Sequence, residues 1–431
     1  MRNLTRVMLI LALPVLLAAG CVQRLAPNSA ATPTSGEPVK LVLFTWTEVT
    51  ELQANQTLIA EFEKAHPNIK VDIQNVPGSG QAMQKLQTMI SAGTAPDVMS
   101  LHGAYYFPFA SKGVLADLET FIKGDKEFNL DDFYPGLIKI SRWQGKLYSV
   151  PRYTSVYTLF YNKALFSAAG VPFPGASGKW TWDEYLAAAK KLTRGDEYGT
   201  YIDFWGARLY PWLWQNNADL MNADRTRCVV DSPAAVEALG FLSDLRHKYA
   251  VCPPATSGER NEGLNLFLQG KIAMYMTGPW DVQNMLQKPE LSWDVAPLPT
   301  KQRAATLLGT ENYSISATTP HPQEAWELYK FLLSPHAQEF MGNKLDKMPS
   351  RKSVAEGPYL AAPAKYNRKV FVDALAYALP APNIPEWDEV SNYLQDQLDL
   401  IWVGKTTAAA GLKRAATDMN AALDKLRGQK G

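Results

Sequence analysis

The short apolar run Val39–Trp46, broken only by Lys40 and Thr45, has the length and density of a buried strand. After it, Leu52, Leu58, Ile59 and Phe62 recur at helical spacing through residues 50–65, and His66-Pro67-Asn68 stops that helix. Ile69, Val71 and Ile73 alternate with polar residues, the two-residue period of a strand. Gly78-Ser79-Gly80 turns the chain. Met83, Leu86, Met89 and Ile90 then mark one face of a second helix that ends at Gly93, and Asp97–Leu101 reads as a third strand. Strand, helix, strand, helix, strand predicts a largely parallel sheet with helices on its faces, an α/β fold.

Residues 147–162 form a long β-prone stretch interrupted at Pro151 and Ser155, which we read as a crossover between two lobes. Thr181 and Glu184 make a capping-box pattern before a helix whose Trp182, Tyr185, Leu186, Ala189 and Leu192 share a face. Residues 271–276 read as a strand running into Thr277-Gly278-Pro279-Trp280. A second β-prone piece, 307–316, precedes one helix expected over 323–340. The last helix, expected over 406–428, sets Leu412, Met419, Leu423 and Leu426 near one side. No internal repeat is present.

The first residues follow a different logic. Arg2 and Arg6 precede an uncharged apolar run, 7–19, too short to span a bilayer comfortably, and the run ends in Leu-Ala-Ala-Gly-Cys. That ending resembles a bacterial lipobox. Residues 1–20 are therefore expected to be a lipoprotein signal peptide, with Cys21 receiving the lipid. The alternative is an ordinary cleaved signal followed by a coincidental cysteine. Residues 21–38, rich in Pro, Ser, Ala and Thr, read as a flexible tether. The mature protein is thus expected outside the cytoplasmic membrane, periplasmic or on the outer cell surface, touching the membrane through its lipid alone.

The roughly four hundred residues that remain exceed one comfortable core, so two lobes are expected. Without Arg2 and Arg6 the chain carries 41 basic against 42 acidic side chains. No basic block stands out, which argues against nucleic acid. With Cys21 lipidated, Cys228 and Cys252 remain, and in an oxidising space a disulfide between them is expected. The alternative is two buried thiols.

The five histidines are scattered without metal-ligand spacing, and no metalloprotease, nucleophile-elbow or phosphate-loop motif occurs. No metal and no cofactor are expected. The chain is instead rich in aromatics, with 12 Trp, 19 Tyr and 16 Phe. Trp46 stands at the C-terminal end of the first strand, where open α/β sheets bind ligands. Trp280 follows a strand in a Gly-Pro turn. Trp205, Trp212 and Trp214 crowd a segment with Tyr201 and Tyr210. A flat indole can stack on the C–H face of a sugar while carboxylates, amides and guanidinium groups take its hydroxyls. The competing reading is that these tryptophans are core, the better one for Trp182 and Trp326 on helical apolar faces.

Taken in order, "LVLFTW", "EFEKAHPNIKV", "KLQTMISAGTAPDVMSL", "GKLYSVPRYTSVYTLFYNKALF", "LFLQGKIAMYMTGPWD", "TTPHPQEAWELYKFLLSP" and "APNIPEWDEV" resemble the family 1 extracellular solute-binding proteins of ABC importers, the group that includes maltose-binding proteins. The resemblance covers nearly the whole mature chain. It implies the two-lobed periplasmic-binding-protein fold (type II), with two α/β lobes around a central ligand cleft and hinge crossovers. The expected lobes are 39–150 with 309–355, and 151–308 with 356–431.

The same resemblance implies candidate ligand contacts. Trp46 and Glu48 match the first-strand end. His102 lies just past the "PDVMSL" strand. Tyr153 and Ser155 lie in the first crossover, where members often carry an acid. Trp280 matches the aromatic that stacks on sugar. Glu311, in Gly309-Thr310-Glu311, stands where relatives often carry Trp. Arg351 matches a cleft-facing arginine of some members, and Trp387 follows the "NIPEW" run. Trp205 and Trp212 join them from the aromatic crowding.

The implied function is capture of a small-molecule carbohydrate, a mono- or oligosaccharide, in the cleft by a monomer. Closure of the lobes then presents it to ABC permease subunits. The alternatives are a secreted carbohydrate-active hydrolase, which needs two opposed carboxylates, a receptor for polyols or glycerol phosphodiesters, and a sensor subunit.

Overall fold

The computed structural model describes residues 37–428 apart from 104, 105, 177, 179, 204, 255–261 and 383, and apart from the side chain of 388. The expected signal peptide, Cys21 and nearly all of the tether lie outside the described residues. Among the described residues no helix is long and apolar enough to cross a membrane.

Among the described residues, twelve strands form three sheets: β1 Val39–Thr45, β2 Ile69–Asn75, β3 Val98–His102, β4 Arg142–Trp143, β5 Lys146–Leu147, β6 Val150–Val156, β7 Thr158–Asn162, β8 Tyr198–Tyr201, β9 Ile272–Thr277, β10 Trp293–Ala296, β11 Thr306–Ile315 and β12 Ala378–Pro380. In the first sheet β1 pairs in parallel with β2 and β3, as the alternating pattern predicts. β11 then enters antiparallel to β3 and carries β6 antiparallel on its other edge. The second sheet has the order β10-β7-β9-β8. β4 and β5 make a separate two-stranded ladder.

The chain leaves the first sheet at β6 and enters the second at β7, with only Tyr157 between them. Pro151 stands near the start of β6, which flanks the first sheet on β11 and is bridged at Tyr153 to Pro349, an edge position of the kind where proline is found. Each sheet has its own main apolar cluster. Leu41, Leu43, Phe62, Val98, Ile315 and Trp326 pack one, and Leu159, Trp182, Tyr185, Trp212, Met274 and Leu412 pack another. Val156 of β6 joins a further one with Phe160 and Tyr275 of the second sheet.

Local chemistry accounts for some helix starts. Thr181 and Glu184 complete the predicted capping box for Trp182–Leu192. The last helix runs Ala408–Gly428 with Leu412, Met419 and Leu423 buried. The single helix expected over 323–340 is two, Pro322–Leu332 and Pro335–Leu345. Pro335 lacks the N–H an interior position would need, and it starts the second helix behind Ser334, whose hydroxyl accepts from Ala337 N. The expected disulfide is also absent. Cys228 and Cys252 are both free and buried, and the Cys228 thiol lies 3.5 Å from Met419 Sδ. Each fills apolar space as a small hydrophobe.

Candidate functional site

A cavity of about 1000 Å³ is lined by the C-terminal ends and following loops of β1, β3 and β9, by β6 and β11, and by the helices Gly206–Gln215 and Trp387–Trp402. This lies at the upper end of the roughly 300–1000 Å³ range of small-molecule sites.

On the first-sheet side, Asn75 clamps the loop after β1. Its Oδ1 accepts from Thr45 Oγ1 at 2.9 Å and Thr47 N at 2.8 Å, and its Nδ2 donates to Thr47 O at 2.9 Å. That loop carries Trp46 and Glu48. Trp46 meets the His102 ring edge-on at 6.0 Å between centroids, and its buried indole N–H has no acceptor among the described residues. Burial holds the His102 imidazole down at about 4.

Beneath these residues lies a buried charge cluster. Arg152, 1 % exposed, donates to Glu51 Oε1 at 2.7 Å, to Tyr313 Oη at 2.7 Å and to Glu311 Oε1. Lys347 Nζ reaches Glu51 Oε2 at 2.5 Å. Burial alone would raise the Glu51 carboxyl, but Lys347 and Arg152 outweigh it and hold it below the usual carboxylate range. Gly309 faces Ser155 across β11 and β6, where an added Cβ would overlap the Ser155 hydroxyl.

On the second-sheet side, β9 ends in the turn Pro279–Asp281, which presents Trp280 at 42 % exposure. Tyr157 meets that indole edge-on at 5.2 Å. Trp205, 55 % exposed, caps the start of Gly206–Gln215. One turn on, Arg208 Nε pairs with Asp203 Oδ2 at 3.0 Å, Nη1 donates to Met276 O at 2.8 Å, and the guanidinium lies over the Tyr157 and Tyr275 rings. Tyr201 donates to Glu262 Oε2 at 3.1 Å, and Thr277 donates to Asp281. Burial raises the Asp203 and Asp281 carboxyls, and Arg208 only partly offsets it.

The structure brings together Trp46, Glu48, His102, Tyr153, Ser155, Trp205, Trp280 and Glu311 around this cavity. Three candidates stand elsewhere. Trp212 is 1 % exposed, tilted against Trp182 and Tyr185 in the core, because the helix it shares with Trp205 turns it inward. Arg351 is buried and committed, with Nε donating to Leu333 O at 2.7 Å and Nη1 to Asp132 Oδ2 at 3.1 Å. Trp387 packs edge-on to Tyr210 against the core that contains Leu412.

Sequence reasoning missed Glu51, Arg152, Asp203, Arg208, Asp281 and Lys347. Arg152 had a visible signal, a lone cation inside the β-prone run Val150–Val156. The partners of the others are distant in sequence. Among the described residues no group of three or more His, Cys, Asp or Glu is arranged to hold a metal ion.

Eight lining carboxylates (Glu48, Glu51, Asp203, Glu262, Asp281, Glu311, Asp346 and Asp399) face two lining cations, Arg208 and Lys347. Those cations are already paired with Asp203 and Glu51. The wall thus sets exposed indoles beside hydrogen-bond acceptors, with both lining cations already paired.

Comparison with known proteins bears on the fold and the family. The family model for bacterial extracellular solute-binding proteins matches residues 46–339. A galactooligosaccharide-binding protein of Bacillus subtilis is 24 % identical over 408 residues, covering 90 % of each chain. Among solved structures, an ABC substrate-binding protein of Listeria monocytogenes in complex with cycloalternan superposes with a TM-score of 0.82 at 28 % identity, covering 91 % of this chain and all of that one. The GacH receptor of Streptomyces glaucescens, described unliganded and with acarbose, gives 0.79 at 28 % identity over 91 % of this chain and 99 % of its own.

Proposed function

This chain belongs to the family of bacterial extracellular solute-binding proteins, and on that premise we propose that it captures a neutral oligosaccharide in the cavity and delivers it to the permease of an ABC importer. The observation that carries the reading is the pairing of two exposed indoles, Trp205 and Trp280, with a lining in which carboxylates outnumber cations. The indoles offer apolar faces to sugar rings. The carboxylates accept from hydroxyls and repel phosphate or uronate. The sugars named for its relatives support the same class. The protein works outside the cytoplasm, in this reading anchored through Cys21, and acts by binding rather than by catalysis.

The test is calorimetric titration of residues 22–431 with neutral, uronic-acid and phosphorylated oligosaccharides, for the wild type and Trp280→Ala. A neutral sugar is expected to bind with a dissociation constant of about 1 μM or tighter. The variant should lose about 10-fold or more, and no product should form. Preference for an anionic sugar would overturn the solute class, and turnover would restore the hydrolase alternative.

A further inference from the structure

The register of β6 against β11 contains one irregularity. Glu311 pairs with Tyr153 and Asn312 with Pro151, so Arg152 is the extra residue of a bulge. A bulge re-aims a side chain that regular alternation would place elsewhere. Here both Arg152 and Tyr153 are buried. Tyr153 lines the cavity, whereas Arg152 is not among the lining residues and sits against groups that are: Tyr153, Glu51 and Glu311.

We propose that Arg152 is a positioning residue of the solute site, fixing the Glu51 and Glu311 carboxylates so that they accept hydroxyl hydrogens of the solute and reject anions. This rests on the solute-binding reading given above.

The geometry supports it in three ways. One guanidinium joins helix Val49–Ala65 through Glu51 to β11 through Glu311 and Tyr313. Arg152 and Ser100 both use Oε1 of Glu311, which leaves Oε2 with no donor among the described residues. Glu51 is held from its other oxygen by Lys347. Nη2 donates to both carboxylates while Nη1 donates to Tyr313, a planar set of fixed donor directions that a freely rotating ammonium does not hold.

The titratable and charged groups facing the pair are Arg152, Tyr153, Tyr313 and Lys347, with His102 opposite Glu311 in the β3–β11 register. Glu51 lies below the usual range while Arg152 and Lys347 are both present. Taking Arg152 away leaves buried Glu51 with one neighbouring cation, Lys347, in place of two, which favours its protonated form.

The experiment has two arms on residues 22–431, with the wild type, Arg152→Gln and Arg152→Lys. Without solute, the Glu51 side-chain carboxyl is titrated by carbon NMR, its signal assigned through Glu51→Gln. Arg152→Gln is expected to move the midpoint up by about one pH unit or more, and Arg152→Lys to keep most of the wild-type value. With solute, maltotriose and galactotriose are titrated calorimetrically between about pH 5 and about pH 8. Arg152→Gln should bind at least about 10-fold more weakly, most of all at the acid end, and Arg152→Lys should also lose affinity because it keeps the charge but not the fork.

An unmoved midpoint in folded Arg152→Gln overturns the proposal. If that variant does not fold, wild-type affinity in Arg152→Lys overturns it. Failure of the wild type to bind either sugar would count against the solute reading, while the carboxyl titration still decides what Arg152 does.

Discussion

The indole of Trp280 lies against the backbone of Gly278, so closely that a Cβ at Gly278 would overlap its six-membered ring. The Gly278 backbone itself is ordinary, with φ −138° and ψ −171°, a conformation open to any residue. The indole is therefore the nearest obstacle to a side chain there. Gly278→Ala is expected to turn Trp280 out of place and weaken sugar binding about 10-fold or more. Because Trp280 is half exposed, urea unfolding should shift by no more than about 1 kcal/mol. Calorimetry beside urea denaturation checks both, and unchanged affinity would show that Trp280 does not act from this position.

His102 makes stability depend on pH. Its folded imidazole protonates only near about 4, against an ordinary 6.5, because burial disfavours the charged form. As pH falls from about 6.5 towards about 4, the unfolded chain takes up a proton that the folded chain refuses, so stability falls, by up to about 3 kcal/mol from this group. Asp203 and Asp281, raised by burial, act in the opposite sense. Urea unfolding of wild type and His102→Asn across this range should show a smaller acid loss in the variant. Equal losses would assign the acid sensitivity to other groups.

The two thiols should behave as core atoms. Burial pushes Cys228 up to about 11 and Cys252 up to about 12, so neither is a thiolate near neutrality. On residues 22–431, a thiol reagent is expected to react slowly with the native chain and with both cysteines in denaturant. Reductant should leave Tm unchanged. A fall in Tm on reduction would indicate a bridge.

Much of the fold was legible because its causes are local. The Thr181/Glu184 capping box, the alternation of Ile69, Val71 and Ile73, and the strand–helix order up to Leu101 rest on hydrogen bonds and periodicities within a few residues. The one helix misjudged over 323–340 was a local error too, since Pro335 marked the break.

The site was legible only in part. Composition and motif order pointed to aromatics at strand ends, but the exposure of each one depends on which faces meet. Trp205 and Trp212 occupy one helical segment, yet one is 55 % exposed and the other 1 %. Arg351 found Asp132, 219 residues away, and so left the cavity.

By itself, then, the sequence determined the strand–helix order up to Leu101, the capped helix at Trp182 and the aromatics at the ends of β1 and β9, because spacing and residue type act at short range. Only the tertiary structure decided that Arg152 would sit behind the floor between Glu51 and Glu311, 101 and 159 residues away, and that two cysteines 24 positions apart would stay unbridged. Burying a charge requires partners that meet it in space, and chain separation does not reveal those partners.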